Sequence, residues 1–285
     1  MRSAPECIPC AVNQALRTAQ MARLDEEAQK WAVRQAMRVL ADLDHGAPPA
    51  VIATEAIRAS AELYTGDPFE EVKRKTTDEA LDLYEAIKPE VLAKLSGMDP
   101  VERIRYSVKL AAVGNIIDFG VASEFDLEGT LRETLAGELV VDHSLQLYQA
   151  VQSSSDFLLI SDNAGEIVFD RFLLDEVLGQ GKTVYVSVKS AGILNDATRE
   201  DVIRGGLRSS IKIVETGSSS LGTILDECSQ EFKDLFASAG VVLSKGQANY
   251  ETLDDADRRI FFVLRAKCPI VARKIGVPTG ASLLL

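Results

Sequence analysis

Apolar positions recur three or four residues apart through the first half of the chain and gather into short continuous runs after about residue 153. Over 11–40, Val12, Leu16, Ala19, Ala22, Trp31, Val33, Met37 and Leu40 keep helical spacing among Gln, Arg, Glu and Lys, which predicts one or two amphipathic helices with Trp31 as a core anchor. His45-Gly46-Ala47-Pro48-Pro49 interrupts the pattern, which resumes over 49–64, breaks at Thr65-Gly66-Asp67-Pro68 and runs on to Lys88. Residues 89–95, 100–113 and 127–135 repeat the design. In the second half the runs 156–160, 183–188, 211–214, 241–243, 260–264 and 282–285 end in polar or small residues and alternate with helical patterns. The clearest of these helices is 166–178, closed by Gly179-Gln180-Gly181. Strand, helix and strand in repetition predict right-handed crossovers and a mostly parallel sheet, so the chain is expected to be α/β behind an N-terminal helical layer.

Composition fits that picture and narrows the chemistry. With 285 residues, 46% hydrophobic and 26% charged, the chain is a soluble globular type, and two domains are expected, 1–150 and 151–285. It carries 31 basic against 43 acidic side chains, a formal charge of −12, with no basic run, which argues against a nucleic-acid partner. No stretch approaches the roughly 20 apolar residues of a membrane span, and the start Met1-Arg2-Ser3-Ala4-Pro5-Glu6 lacks the apolar core of a signal peptide. A cytoplasmic location without membrane contact is expected. Four cysteines are too few for a disulfide scaffold.

Open parallel sheets bind ligands outside the carboxyl ends of their strands, and the polar residues fall there. The first run leads into Ser161-Asp162-Asn163-Ala164-Gly165-Glu166, where Asp162 and Asn163 offer hard oxygens to a divalent cation. Ala164 and Gly165 let backbone N–H groups and a helix N-terminus approach an anion; the same residues would also serve as a turn and N-cap. The second run leads to Asn195-Asp196, another ordinary cap in isolation, but placed so that Asp196 can join Asp162 and Asn163 around one metal. The third leads to the hydroxyl- and glycine-rich loop 215–223, a weak phosphate cradle. The fourth ends in Lys245-Gly246-Gln247-Ala248-Asn249-Tyr250-Glu251, where Lys245 can offset phosphate charge, Asn249 can meet sugar hydroxyls and Glu251 can orient substrate or water. A cation follows the fifth run at Lys267. In the helical half, Asn115 and Asp118 interrupt 114–120 and either cover the site or cap a helix.

Cys7-Ile8-Pro9-Cys10, the 114–120 segment, Ser161 to Glu166, 193–198, Lys245 to Glu251 and Arg265-Ala266-Lys267-Cys268, in that order, resemble the damage-control phosphatase family first catalogued as domain of unknown function 89, in its compact archaeal and bacterial branch. The resemblance spans nearly the whole chain. It implies a Rossmann-like α/β domain at 151–285 beneath a helical domain packed over the site. It further implies hydrolysis of small phosphometabolites, such as sugar phosphates or damaged phosphate monoesters, with Mn²⁺, Co²⁺, Ni²⁺ or Mg²⁺. Carried over residue by residue, it puts the metal on Asp162, Asn163 and Asp196, and substrate contacts on Glu166, Asn249 with its neighbours, and Lys267. Asn115 and Asp118 would reach in from the helical layer. Arg265-Ala266-Lys267 stands where larger relatives carry an Arg-Thr-x-Lys motif, which weakens the transfer to Lys267.

The mechanism expected from these residue types is attack by a metal-activated water, with Lys245 or Lys267 and the helix N-terminus at Gly165 balancing charge. An aspartyl-phosphate route through Asp162 is the alternative. Two other functional classes are an S-adenosylmethionine-dependent methyltransferase, against which no Gly-x-Gly-x-Gly follows the first strand, and a noncatalytic phosphometabolite sensor signalling through Cys7 and Cys10. That cysteine pair is open between half a zinc site, a redox pair and plain buried thiols. His45 and His143 lie in polar surroundings without ligand spacing. Oligomeric state is not legible.

Overall fold

The computed structural model describes residues 1–44, 46–113, 135 and 137–285. Asn115, Asp118, His45 and, apart from Leu135, the helix expected over 127–135 lie outside these residues.

The helical half opens with α1 (Cys7–Met21), α2 (Glu26–Asp42) and α3 (Pro49–Arg58). The side chain of Asp25 accepts the Ala28 N–H and starts α2, and Pro49 occupies the first turn of α3, where its missing N–H has no helical partner to lose. These three helices meet through small residues: Ala11, Ala15, Ala36 and Ala56 are buried with Leu40 and Ile52. Trp31 is only half-buried and stands outside that cluster, so alanines, whose size lets the backbones approach closely, anchor this layer in place of the expected tryptophan. The helix α4 (Glu70–Ser96) is continuous where a break before Pro89 was expected. Pro89 is exposed, so the carbonyl that loses its helical partner reaches water. The helix α5 (Pro100–Val113) follows.

Apart from the unforeseen β1, the remaining elements alternate as predicted: β1 (Val141–Asp142), α6 (Ser144–Ser153), β2 (Asp156–Ile160), α7 (Glu166–Gly179), β3 (Thr183–Val188), α8 (Arg199–Arg204), β4 (Lys212–Glu215), α9 (Gln230–Ser238), β5 (Val241–Lys245), α10 (Gln247–Leu253), β6 (Phe261–Arg265), α11 (Pro269–Ile275) and β7 (Ser282–Leu284). The seven strands form one sheet in the order β1-β7-β6-β5-β2-β3-β4, parallel except for the β6–β7 pair. Alternate residues of each strand serve opposite faces. Phe157, Leu159, Val184, Val186, Leu243 and Val263 pack under α5, α6 and α7 through residues such as Ile104, Leu147 and Leu173. Leu158, Ile160, Val242, Phe262 and Leu264 pack under α9, α10 and α11 through Phe232, Leu253 and Val271.

The chain runs from β2 to β3 and β4 on one side, then returns to place β5 on the other side of β2. That reversal leaves a crevice beyond the carboxyl ends of β2 and β5, which is where such sheets hold ligands.

Candidate metal and phosphate site

Main-chain bonds join the loops that leave β2 and β3. Ala164 N–H donates to the Asn195 carbonyl at 2.9 Å, and Ala197 N–H donates to the Asp162 carbonyl at 2.8 Å. Asn163 and Asp196 thereby face each other in an isolated antiparallel bridge. Leu194, in the same loop, holds φ at 45°, a conformation that branched side chains rarely adopt and that clusters at functional sites. From the other side of the crevice, Gly246 follows β5 with φ at 87°. A Cβ there would fall 2.1 Å from Asp162 Oδ2, so only glycine lets this strand end lie against the carboxylate.

Asp162 and Asp196 are both buried. Burial is the main cause that raises Asp162 above the ordinary carboxylate range, and the negative charges of Glu166 and Asp196 push it further, against the pull of Lys267 and Lys245. Asp196 is also raised by burial, with Lys189 opposing; the Lys189 ammonium stands 3.5 Å from Asp196 Oδ2. Asn163 donates Nδ2 to Glu166 Oε1 at 2.6 Å and to Asp162 Oδ2 at 3.3 Å, which commits its nitrogen and leaves Oδ1 to meet a cation. Two adjoining buried carboxylates whose charge is incompletely balanced, beside an oriented amide oxygen, are a hard-oxygen donor set of the kind that suits Mg²⁺ or Mn²⁺. Among the described residues no group of three or more His, Cys, Asp and Glu side chains is arranged to hold a metal. A cation placed here would therefore need the Asn163 amide oxygen beside the two carboxylates.

These three residues line a cavity of about 270 Å³. Glu251 and Lys267 line it too, as do Cys7, Cys10 and Cys268, while Ala11, Ala50, Leu221 and Val271 supply apolar wall. The other expected site residues stand behind it. Gly165 is buried at the N-cap of α7. Lys245 is fully buried, its ammonium 2.7 Å from Glu166 Oε2 and 2.6 Å from Asp170 Oδ1, so it neutralises carboxylates inside the protein and does not face the cavity. Asn249 donates to the carbonyls of Ser161 and Lys245 at 3.0 and 2.7 Å and accepts from Thr223 Oγ1 at 2.8 Å. Those bonds use the amide as a brace between strand ends, not as a free contact for sugar hydroxyls. The hydroxyl-rich loop after β4 is likewise turned inward: Ser218 and Ser220 bond to Glu227, and Arg58 of α3 reaches both Ser220 and Glu227.

Two participants were not foreseen. Lys189 closes β3 and meets Asp196, a placement that a lysine ending a strand run would have suggested. Asp170 lies four residues after Glu166, on the same face of α7, and that spacing was the available clue to its sharing Lys245.

Residues 3–283 match the family model described as the damage-control phosphatase ARMT1-like domain. A damage-control phosphatase of Pyrococcus horikoshii is 38% identical, the match covering 97% of this chain and 95% of that protein. An uncharacterized protein of Methanocaldococcus jannaschii is 36% identical over 99% and 94%. The crystal structure of a DUF89 family protein from P. horikoshii superposes with a TM-score of 0.91 at 36% identity, covering 100% of this chain and 99% of that one.

Proposed function

The chain belongs to the damage-control phosphatase ARMT1-like family, and from that premise we propose that it is a divalent-metal-dependent phosphomonoester hydrolase acting on small phosphometabolites such as sugar phosphates or damaged phosphate esters. The observation that carries this reading is the pairing of buried Asp162 and Asp196 with Asn163 on the floor of a cavity that Lys267 also lines. Asp162, Asn163 and Asp196 would hold the cation, for which Mn²⁺, Co²⁺, Ni²⁺ and Mg²⁺ are the candidates. When bound, such a cation supplies Lewis-acid polarisation of phosphoryl oxygens and a water of lowered pKa.

The chain's own residues do the rest. Asn163 is fixed by Glu166, which is held in turn by Lys245, the ammonium it shares with Asp170, so the amide oxygen is oriented before substrate arrives. Lys267 is exposed on the cavity wall, where its ammonium can meet negative charge on the phosphoryl oxygens. An Asp162 that would hold the cation is poorly placed to attack in line as well, which favours water over the Asp162 carboxylate as nucleophile.

The test is phosphate release by metal-stripped protein from p-nitrophenyl phosphate and a sugar phosphate panel, with each metal restored in turn, beside Asp162→Ala. Activity that returns with metal and falls about a hundred- to a thousandfold in the variant is expected, given what loss of a principal electrostatic group costs. Metal-independent release, or release that survives Asp162→Ala, would overturn the reading.

A further inference from the structure

The cysteine pair at the start of α1 is not used by the reading above, yet it shares the site's cavity. Cys7 is buried, Cys10 is exposed, and Cys268 faces the same cavity from the N-cap of α11. Among the described residues no group of three or more His, Cys, Asp and Glu is arranged to hold a metal, which argues against zinc on these thiols. Their backbone placement favours a bond between two of them. Residues i and i+3 of a helical turn have Cα atoms about 5 Å apart, inside the roughly 4.4–6.8 Å range that disulfides span.

We propose that Cys7 and Cys10 are a reversible dithiol–disulfide site in the wall of this cavity, oxidised by low-molecular-weight disulfides, and that the oxidised form binds substrate more weakly. The exposed Cys10 thiolate attacks one sulfur of the reagent, the reagent's S–S bond breaks, and the departing thiolate takes up the proton Cys10 gave. The Cys7 thiolate then attacks Cys10 sulfur in the mixed disulfide and expels the second reagent thiolate, which takes the proton from Cys7. Two protein thiols become one disulfide, and the reagent gains two electrons and two protons as two thiols.

The geometry also says what the bond does. Cβ atoms at i and i+3 on a helix are about 5–6 Å apart, whereas a disulfide holds them near about 3.8 Å. Closure therefore draws the first turn of α1 together by roughly 1–2 Å. Glu6, Cys7, Cys10, Ala11 and Gln14, all from this turn or the next, form one wall of the cavity, so the wall moves with it. Asp162, Asn163 and Asp196 sit on loops fixed to β2 and β3 and stay in place, which assigns the effect to binding and not to turnover. A bond strained in this way is easily reduced again, as a reversible site requires. Partial desolvation raises both thiols above their ordinary range, with the Glu251 carboxylate adding to it at Cys7 and Cys268 at Cys10, so little thiolate is present at neutral pH and oxidation is slow.

The test uses the full reduced chain, incubated with excess oxidised glutathione, alkylated and digested with trypsin. The peptide 3–17 is expected lighter by two hydrogens with neither cysteine alkylated, and dithiothreitol restores both thiols. Glutathione left on Cys10, a Cys10–Cys268 link or an unmodified peptide would overturn the site. The binding half rests on the phosphatase reading. With Mn²⁺ and p-nitrophenyl phosphate, KM of the oxidised chain is expected several-fold above that of the reduced chain at similar kcat, and Cys10→Ser should show no difference between the two treatments. An unchanged KM in protein shown to carry the disulfide overturns the binding half. Absence of phosphate release from the reduced chain would instead sink the phosphatase reading, and the peptide map still decides the dithiol.

Discussion

Glu251 stands in the cavity wall with 5% of its surface exposed, and burial lifts its carboxyl up to about 7, against hydrogen bonds from Gln247 Nε2 at 2.8 Å and from the Ala50 backbone. Between its ordinary value of 4.5 and about 7 the folded chain keeps a proton that the unfolded chain has lost. Stability at this residue is therefore highest below that window, declines as pH rises through it and is level above it. Glu251→Gln keeps the shape and removes the ionisation. Urea unfolding at pH 5 and pH 8 should show a smaller loss of stability over that interval in the variant than in the parent, a difference of up to roughly 3 kcal/mol. Parallel losses in the two proteins would mean that the carboxyl is already solvated in the fold.

At the scale of elements, α7 does two jobs while buried against both the sheet and α4. Its apolar residues pack on the sheet, while Glu166 and Asp170, one turn apart, close around Lys245 of β5. Lys245→Met would leave two buried carboxylates without their cation, which typically costs about 3–5 kcal/mol. The loss measured by urea unfolding should be smaller at pH 5 than at pH 8, because Asp170, which burial already raises to about 7, takes up a proton in the acid solution. A loss under about 1 kcal/mol at pH 8 would show that the carboxylates find other partners. This pairing also explains what the sequence made visible. The run 157–160 was legible because a strand buried on both faces is continuously apolar, and Thr183–Val188 because its valines alternate with Tyr185 and Ser187 in a run rich in β-branched residues. The two-residue β1 carries no period and was missed. Asp162, Asn163 and Asp196 were legible because strand ends are local features, whereas the inward roles of Lys245 and Asn249 depend on α7 and the β4 loop arriving from elsewhere in the chain.

At the scale of the molecule, the helical layer is tied to the loop that carries Asp196 by a buried ion cluster. Lys73 of α4, 3% exposed, reaches Asp67 Oδ2 at 2.7 Å and Asp201 Oδ2 at 2.8 Å. Asp201 also accepts from Thr198 N–H and Thr198 Oγ1, closing the capping box that starts α8 directly after the Asp196 loop. Asp67 in turn packs so closely on Gly192 that a Cβ there would lie 2.3 Å from its carboxyl carbon. One lysine thus secures both ends of the segment between β3 and α8. Burial alone would lower the Lys73 pKa, but the two carboxylates outweigh it and leave the value raised, so the lysine's share of the stability is complete below its ordinary 10.5 and is lost as pH rises through the higher folded value. Lys73→Met should cost about 3–5 kcal/mol of stability by urea unfolding. Calorimetry should also show Mn²⁺ affinity about 10–100-fold weaker, the usual effect of loosening a residue that orients a ligand. Loss of stability with unchanged Mn²⁺ affinity would show that the Asn163–Asp196 bridge holds the loop without help from the helical layer.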